Sequence, residues 1–349
     1  LTERVLELGR SSVLRLRLDR DEAGRVRRRR LDGGFVRDVE FGFDGGRLTQ
    51  ETSDGRQVGF EYDDAGRLIG LGDEAAGRRF GLGSSGRLEL IDGRPVDFTD
   101  GGRLASAELG GSPVRFEYAA TGELVSIGGP TGTTRIERDP MGRPVCIHRA
   151  DGQSTRLLWD ETGPAALLDG HGQVVERYLR RPGVFVPEVV VRDDAVLRVV
   201  ADQTGTIVAL VDADTGEVTG TPWSAYGEPI GVPVGPFGFG GGIVLSIDPV
   251  VVDIGRRSYV PTLGRWLQWD PNLHEGGGTD LYGYAANDPV NRHDPTGAEV
   301  QRCSGWIYTA WRDDDGDVRY IPMPAKHAWL KTSKYESGQD AVTRGFGYT

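Results

Sequence analysis

Cysteine is nearly absent. Cys146 and Cys303 are the only two in 349 residues, far apart and in different contexts. Neither a disulfide framework nor a thiol metal site is readable from them. No apolar run is long enough to span a bilayer, and no secretory leader is visible. There is no phosphate-binding glycine loop and no nucleophile elbow. Acidic residues outnumber basic ones, 52 Asp and Glu against 41 Lys and Arg; the net charge of −11, with Arg27 to Arg30 the one dominant basic block, argues against a nucleic-acid-binding body. Glycine, by contrast, is abundant (53 residues) but has no strict three-residue period, which excludes collagen. A chain this long buries a substantial core and has room for two or three domains. It begins with Leu1 rather than Met, so a fragment or processed piece is expected.

What the chain does have is an internal repeat. Gly-Arg-Leu occurs at Gly46-Arg47-Leu48, Gly66-Arg67-Leu68, Gly86-Arg87-Leu88 and Gly102-Arg103-Leu104. Looser copies stand at Gly24-Arg25-Val26, Gly122-Glu123-Leu124 and Gly142-Arg143-Pro144, and the step is mostly 20 residues. Several copies follow an aromatic-x-aromatic strand and an acidic turn, as in Phe60-Glu61-Tyr62-Asp63-Asp64-Ala65-Gly66. Phe60 and Tyr62, two apart, share one face of a strand while Glu61 points to the other. Asp63 begins a turn, and Gly66 takes the positive φ that closes it. Each unit is then a β-hairpin that cannot bury its apolar face alone and must stack on its neighbours.

From Arg257 to Ala298 the pattern changes. Two Asp-Pro pairs, Asp270-Pro271 and Asp294-Pro295, bracket a segment rich in Tyr, Asn and Gly, and the second leads into Thr296-Gly297-Ala298. A helix is expected over Thr279 to Ala286, capped by Thr279 or Asp280 and stopped before Pro289. Short apolar runs such as Val184-Phe185-Val186, Val189-Val190-Val191 and Ile243-Val244-Leu245 read as buried strands.

The repeat and the terminal motif together resemble the Rhs/YD-repeat family. Ala201 to Asp212, then Thr215-Gly216-Glu217-Val218 and Trp223 to Glu228, are similar to its Rhs-associated core, and the likeness covers roughly residues 20 to 298. The resemblance implies an all-β fold: a spiralling sheet of YD-repeat hairpins forming part of a hollow shell, with a short helical or loop plug near the C-terminal end. It implies a YD-repeat region over 1–198, an Rhs-associated core over 199–298 and a variable tail over 299–349. It further implies a bacterial protein, secreted or delivered at the cell surface, that encloses a toxin and cuts its own chain to release it. Its own C-terminal segment would be the cargo. A secretion or toxin-delivery apparatus and an immunity protein for the toxin would be partners. No cofactor is expected. A non-enzymatic reading stands beside this one: a teneurin-like or wall-associated YD-repeat surface protein used for adhesion or carbohydrate contact.

In the family, two aspartates act on the bond downstream of the second, with an arginine ahead of the first. Asp270 matches the first, Asp294 the second and Arg257 the arginine. The bond would lie between Ala298 and Glu299, where the family commonly has Leu before the cut. Amide hydrolysis needs a base to activate water and an acid for the leaving nitrogen, and two carboxyls sharing one proton supply both. A nearby guanidinium could polarise the scissile carbonyl. Gly297 permits a bend that returns the bond toward Asp294.

His274 and His293 lie in this window, but two isolated histidines without helical spacing or a carboxylate third ligand do not make a metal site. Asp313-Asp314-Asp315-Gly316-Asp317 resembles part of a calcium loop without the required downstream Glu, so a hairpin turn between Trp306–Trp311 and Val318–Ile321 is expected. The tail also carries His327, Lys331 and Glu336, which read as solvated polar residues. It is expected to be loosely held, with contacts from Trp306, Trp311 and Trp329.

Overall fold

The computed structural model describes residues 2–8, 11–73, 77–84, 86–181, 183–272, 280–303, 307–312 and 318–323. Leu1–Cys303 form one compact unit and Ser304–Thr349 a second. Among the described residues there is no α-helix. Ten strands from Thr2–Leu8 to Arg94–Pro95 form one sheet, and thirteen from Asp97–Phe98 to Val218–Gly220 form another. In both, spatial order is chain order, and neither closes into a barrel. The repeated hairpins expected from the sequence are therefore the fold.

The turn shows why the repeat has its residues. The Asp63 N–H donates to the Arg67 carbonyl (3.0 Å), and the Gly66 N–H to the Asp63 carbonyl (2.8 Å). Gly66 has φ 80°, a left-handed conformation that costs glycine nothing. Asp63 then clasps Arg67 twice: Oδ1 takes its backbone N–H and Oδ2 its Nε, both at 2.8 Å. The same clasp joins Asp21 to Arg25 and Asp139 to Arg143.

A second device links four of the repeats to the one before. Tyr62 donates its hydroxyl to the Leu48 carbonyl (2.6 Å) and Tyr118 to that of Leu104 (2.7 Å), 14 residues back in each case. Arg138 and Trp159 make the equivalent bonds to Leu124 and Pro144. Arg47 lies over the Tyr62 ring and Arg103 over Tyr118, each 5.9 Å from the centroid, a cation–π contact. Thus Gly, Arg and Leu of one repeat and the aromatic of the next form a single joint.

The inward faces, including Leu48, Phe60, Leu68, Leu124 and Ile147, pack with Leu263, Leu267 and Val290 of the C-terminal region in one apolar cluster. That region carries a four-stranded sheet (Ile243–Ile247, Val250–Ile254, Arg257–Val260, Arg265–Trp266) and docks on the repeat turns. Asn287 Nδ2 donates to the Gly66 carbonyl (2.7 Å), Arg265 Nη2 to that of Leu68 (2.6 Å) and Tyr282 Oη to that of Gly102 (2.7 Å).

These anchors correct the helix expected over Thr279 to Ala286. Thr279 lies outside the described residues, Asp280 is irregular, and Leu281 to Tyr284 are turn, bridge and bend. A single 3-10 turn follows at Ala285–Asn287. Asp280 is spent on Arg265 (3.0 Å), Gly283 bridges Arg265, and Trp266 N–H donates to the Tyr282 carbonyl (2.9 Å). Pinning both sides of Gly283 to the Arg265–Trp266 strand leaves no room for helical pairing.

In the second unit, Ile307–Arg312 pairs antiparallel with Val318–Met323, the expected hairpin. The acidic turn between them, His274, Trp306, His327, Trp329, Lys331 and Glu336 lie outside the described residues.

The clasp gives an acid-sensitivity. Burial pushes Asp63 and Asp139 up, but the backbone and side-chain bonds from their arginines outweigh it and hold both below the ordinary 3.8. A depressed folded value means that the stabilisation is complete above the unfolded value and is lost as pH falls toward the folded one. The urea midpoint should therefore be level down to about pH 5 and fall below about pH 4. Asp63→Ala should cost about 1–2 kcal/mol and flatten part of that fall.

Candidate functional site

Three sequence-separated side chains meet beneath the C-terminal loop. Arg257 begins its strand right after a tight turn through Gly255. Its Nη2 lies 2.8 Å from Asp270 Oδ2 and 2.8 Å from Asp294 Oδ2. Both oxygens contact one nitrogen, so they are at most twice 2.8 Å apart. The guanidinium thus joins the two carboxylates through a single nitrogen. Arg257 is 3% exposed, and Asp294 is fully buried. Burial pulls Arg257 below the ordinary arginine value, and the two aspartates oppose this. Arginine starts so high that it stays charged.

An aromatic floor holds the cation in place. The guanidinium stacks 4.2 Å from the Trp266 ring centroid. Trp266 packs against Tyr259 and Tyr284, which join Trp223 and Phe239 in a second buried cluster. Nε and Nη1 of Arg257 have no hydrogen-bond partner among the described residues.

Asp294 organises the chain after it. Its Oδ1 accepts the N–H groups of Ala298 and Glu299, both at 3.0 Å, and the Thr296 hydroxyl at 3.3 Å. The loop reverses at Gly297, where φ is 66°. The Arg256 N–H donates to the Thr296 carbonyl (3.0 Å), pinning the loop against the strand that carries Arg257. Asp270 is fixed through its own N–H to the Leu281 carbonyl (2.9 Å), and its Oδ1 accepts the Asn272 N–H (2.9 Å).

Asn272 is the residue that sequence reasoning missed. Its Nδ2 donates to the Ala298 carbonyl at 3.0 Å. The only signal was its place two residues after Asp270, within an Asp-Pro-Asn turn. Trp266 was likewise passed over, although it lies four residues before Asp270. Of the histidines, His293 turns a ring nitrogen to the Thr204 carbonyl (3.3 Å), a structural contact.

The bend at Gly297 is testable by itself. A Cβ there would stand 2.5 Å from the Ile254 carbonyl oxygen and 2.9 Å from the Arg256 nitrogen. Gly93 also has a positive φ of 78° but nothing within 4 Å. Gly93→Ala should cost only its backbone strain, of order 1 kcal/mol, whereas Gly297→Ala should lower the melting temperature further. Equal shifts in thermal unfolding would show that the loop yields freely.

The family model for the teneurin YD-shell matches residues 1–290. No curated protein matches. A crystal structure of TcdB2-TccC3-Cdc42 is similar, with a TM-score of 0.55 at 13% identity over 82% of this chain. A Photorhabdus luminescens Tc holotoxin pore carrying a TccC3 variant gives a TM-score of 0.55 at 13% identity over 90% of this chain. In each case the match spans only 19% of the solved chain, and at such identity the likeness is one of fold. The joint of Gly-Arg-Leu and following aromatic, repeated along two chain-ordered sheets, accords with the match over residues 1–290: the chain belongs to the teneurin YD-shell family.

Proposed function

We propose that this chain is part of a toxin-enclosing YD shell whose C-terminal core cuts its own backbone between Ala298 and Glu299. One observation carries the reading: the Ala298–Glu299 peptide bond is gripped at both ends. Asn272 Nδ2 donates to its carbonyl oxygen at 3.0 Å, and its N–H donates to Asp294 Oδ1 at 3.0 Å. Asp294 in turn shares Arg257 with Asp270.

The chemistry follows from those positions. Water adds to the Ala298 carbonyl carbon while a carboxylate of the pair takes its proton. Negative charge grows on the carbonyl oxygen, which Asn272 already contacts, and a fixed donor at that oxygen is worth most when the charge develops. The C–N bond breaks and the Glu299 nitrogen gains a proton, leaving a carboxylate at Ala298 and an amine at Glu299. The proton balance closes within the pair: the carboxylate that takes the proton from water passes it on to the departing Glu299 nitrogen. Arg257 supplies a fixed cation beside both.

On this reading, residues 1–198 form the repeat wall, 199–298 the self-cutting core and 299–349 the cargo. The protein is bacterial and acts outside the producing cell, with a delivery apparatus and an immunity protein as partners.

Intact-mass measurement on freshly purified folded protein should find a new N-terminus at Glu299. Asp270→Asn and Asp294→Asn should each abolish cleavage with unchanged circular dichroism. Asn272→Ala should slow it by roughly 100- to 1000-fold, the usual cost of one such donor. Arg257→Ala should slow it less cleanly, since it also strips a buried cation from two carboxylates. A folded wild type that stays in one piece, or full cleavage by either asparagine variant, would overturn the proposal and leave an adhesion module as the better account.

A further inference from the structure

A second chemical cluster lies far from this site in the sequence, on the second sheet. Among the described residues, Glu137, Cys146 and His148 each place one ligand-type atom so that all three lie within 4.8 Å of one another. We propose that they form a binding site for a borderline-soft divalent cation, for which Zn²⁺ is the best fit.

The register makes the cluster. Strand Gly132–Arg138 pairs antiparallel with Pro144–His148, so that Glu137 stands directly opposite Cys146. Cys146 and His148 are two apart and share a face. That face is the one turned away from Ile136 and Ile147, which belong to the apolar core. His148 Nδ1 is 4.0 Å from Cys146 Sγ, and its Nε2 is 2.8 Å from Glu137 Oε1. Ser154, on the next strand and paired with His148, holds its hydroxyl 3.0 Å from Nδ1. The backbone is thus fixed on three adjacent strands. Closing the set onto bonds of about 2.0–2.3 Å requires side-chain rotation, because Cys146 and Glu137 face different ring nitrogens of His148.

The donor types select the ion. Thiolate, imidazole and carboxylate are the three kinds of ligand that zinc takes, and three protein ligands with one open position describe an accessible zinc site. Hard cations such as Mg²⁺ and Ca²⁺ prefer an all-oxygen shell and are poor matches for sulfur. A histidine–glutamate ion pair alone would not need the thiol. Cys146 is 4% exposed but lies outside the apolar cluster that holds Ile136 and Ile147, beside the exposed Glu137. Arg156 bonds the thiol from the following strand and is itself exposed, and a bound cation would take its place at the sulfur. Burial pushes the Cys146 thiol up, so the cation must displace a proton to bind.

The test uses the full chain, stripped with a chelator and titrated with Co²⁺ and then Zn²⁺. One equivalent of Co²⁺ should produce a thiolate-to-cobalt charge-transfer band that Zn²⁺ abolishes by displacement. Cys146→Ser should lose the band. His148→Ala and Glu137→Gln should each weaken binding at least about 10- to 100-fold. Cys303→Ser should keep both band and affinity, because Cys303 lies elsewhere, buried beside Asn291. Zn²⁺ should raise the melting temperature of the wild type but not of Cys146→Ser, a readout independent of the band. A wild type that gives no band, or a band that survives Cys146→Ser, would overturn the site.

Discussion

Turns in a stacked hairpin sheet leave backbone carbonyls without partners, and this constraint shapes the rest of the molecule. A buried unpaired carbonyl costs about as much as a lost hydrogen bond. Here the C-terminal region supplies the missing donors. Asn287, Arg265 and Tyr282 reach the carbonyls of Gly66, Leu68 and Gly102 in successive parts of the repeat wall. Side chains of the wall answer in kind: Glu51 accepts the Ala225 N–H at 2.7 Å, and Tyr62 meets Tyr226 hydroxyl to hydroxyl at 3.1 Å. The wall and the C-terminal region are therefore one polar network over a shared apolar cluster.

The arrangement around Arg257 follows from that docking. A guanidinium in a nearly closed interior is expensive unless its charge is matched. Two carboxylates and an indole face surround it, each delivered by a different piece of chain that the docking has fixed. Asp270 is held by the Leu281 carbonyl, Asp294 by the loop that reverses at Gly297, and Trp266 by the Arg257–Val260 strand beside it. Precision at the site is thus borrowed from the wall rather than made locally.

What was legible in the sequence was whatever repeats or is local. Gly-Arg-Leu at a 20-residue step, with aromatics two apart before it, yields hairpins because period, turn residue and strand pattern agree. The turn Asp was legible as a turn starter; its grip on the arginine four residues on was not, since it depends on the closed turn. The 14-residue bond from Tyr62 to Leu48 needs the register of two strands, which no single repeat displays. The helix expected over Thr279 to Ala286 failed because local propensity lost to the Arg265 and Trp266 anchors. The motif named Arg257, Asp270 and Asp294, which the structure brings together, but not Asn272, because an amide after Asp-Pro looks like any turn residue. Cys146 and His148 carried no signal because their partner Glu137 is brought in by pairing across a hairpin.

The strand Arg292–His293 pairs with Gln301–Arg302, and the Cys303 N–H donates to the Asn291 carbonyl at 2.8 Å. This small ladder has one arm on each side of the Ala298–Glu299 bond. Scission there would leave the two new ends side by side, tethered by backbone hydrogen bonds instead of a covalent link. Their effective concentration would stay high, so bond breaking and departure would be separate events with separate rates. On the proposed cleavage, departure would require unzipping two residue pairs and drawing Cys303 out of its buried seat. Departure of the piece would then answer to force or surroundings acting on that zipper as well as to the chemistry.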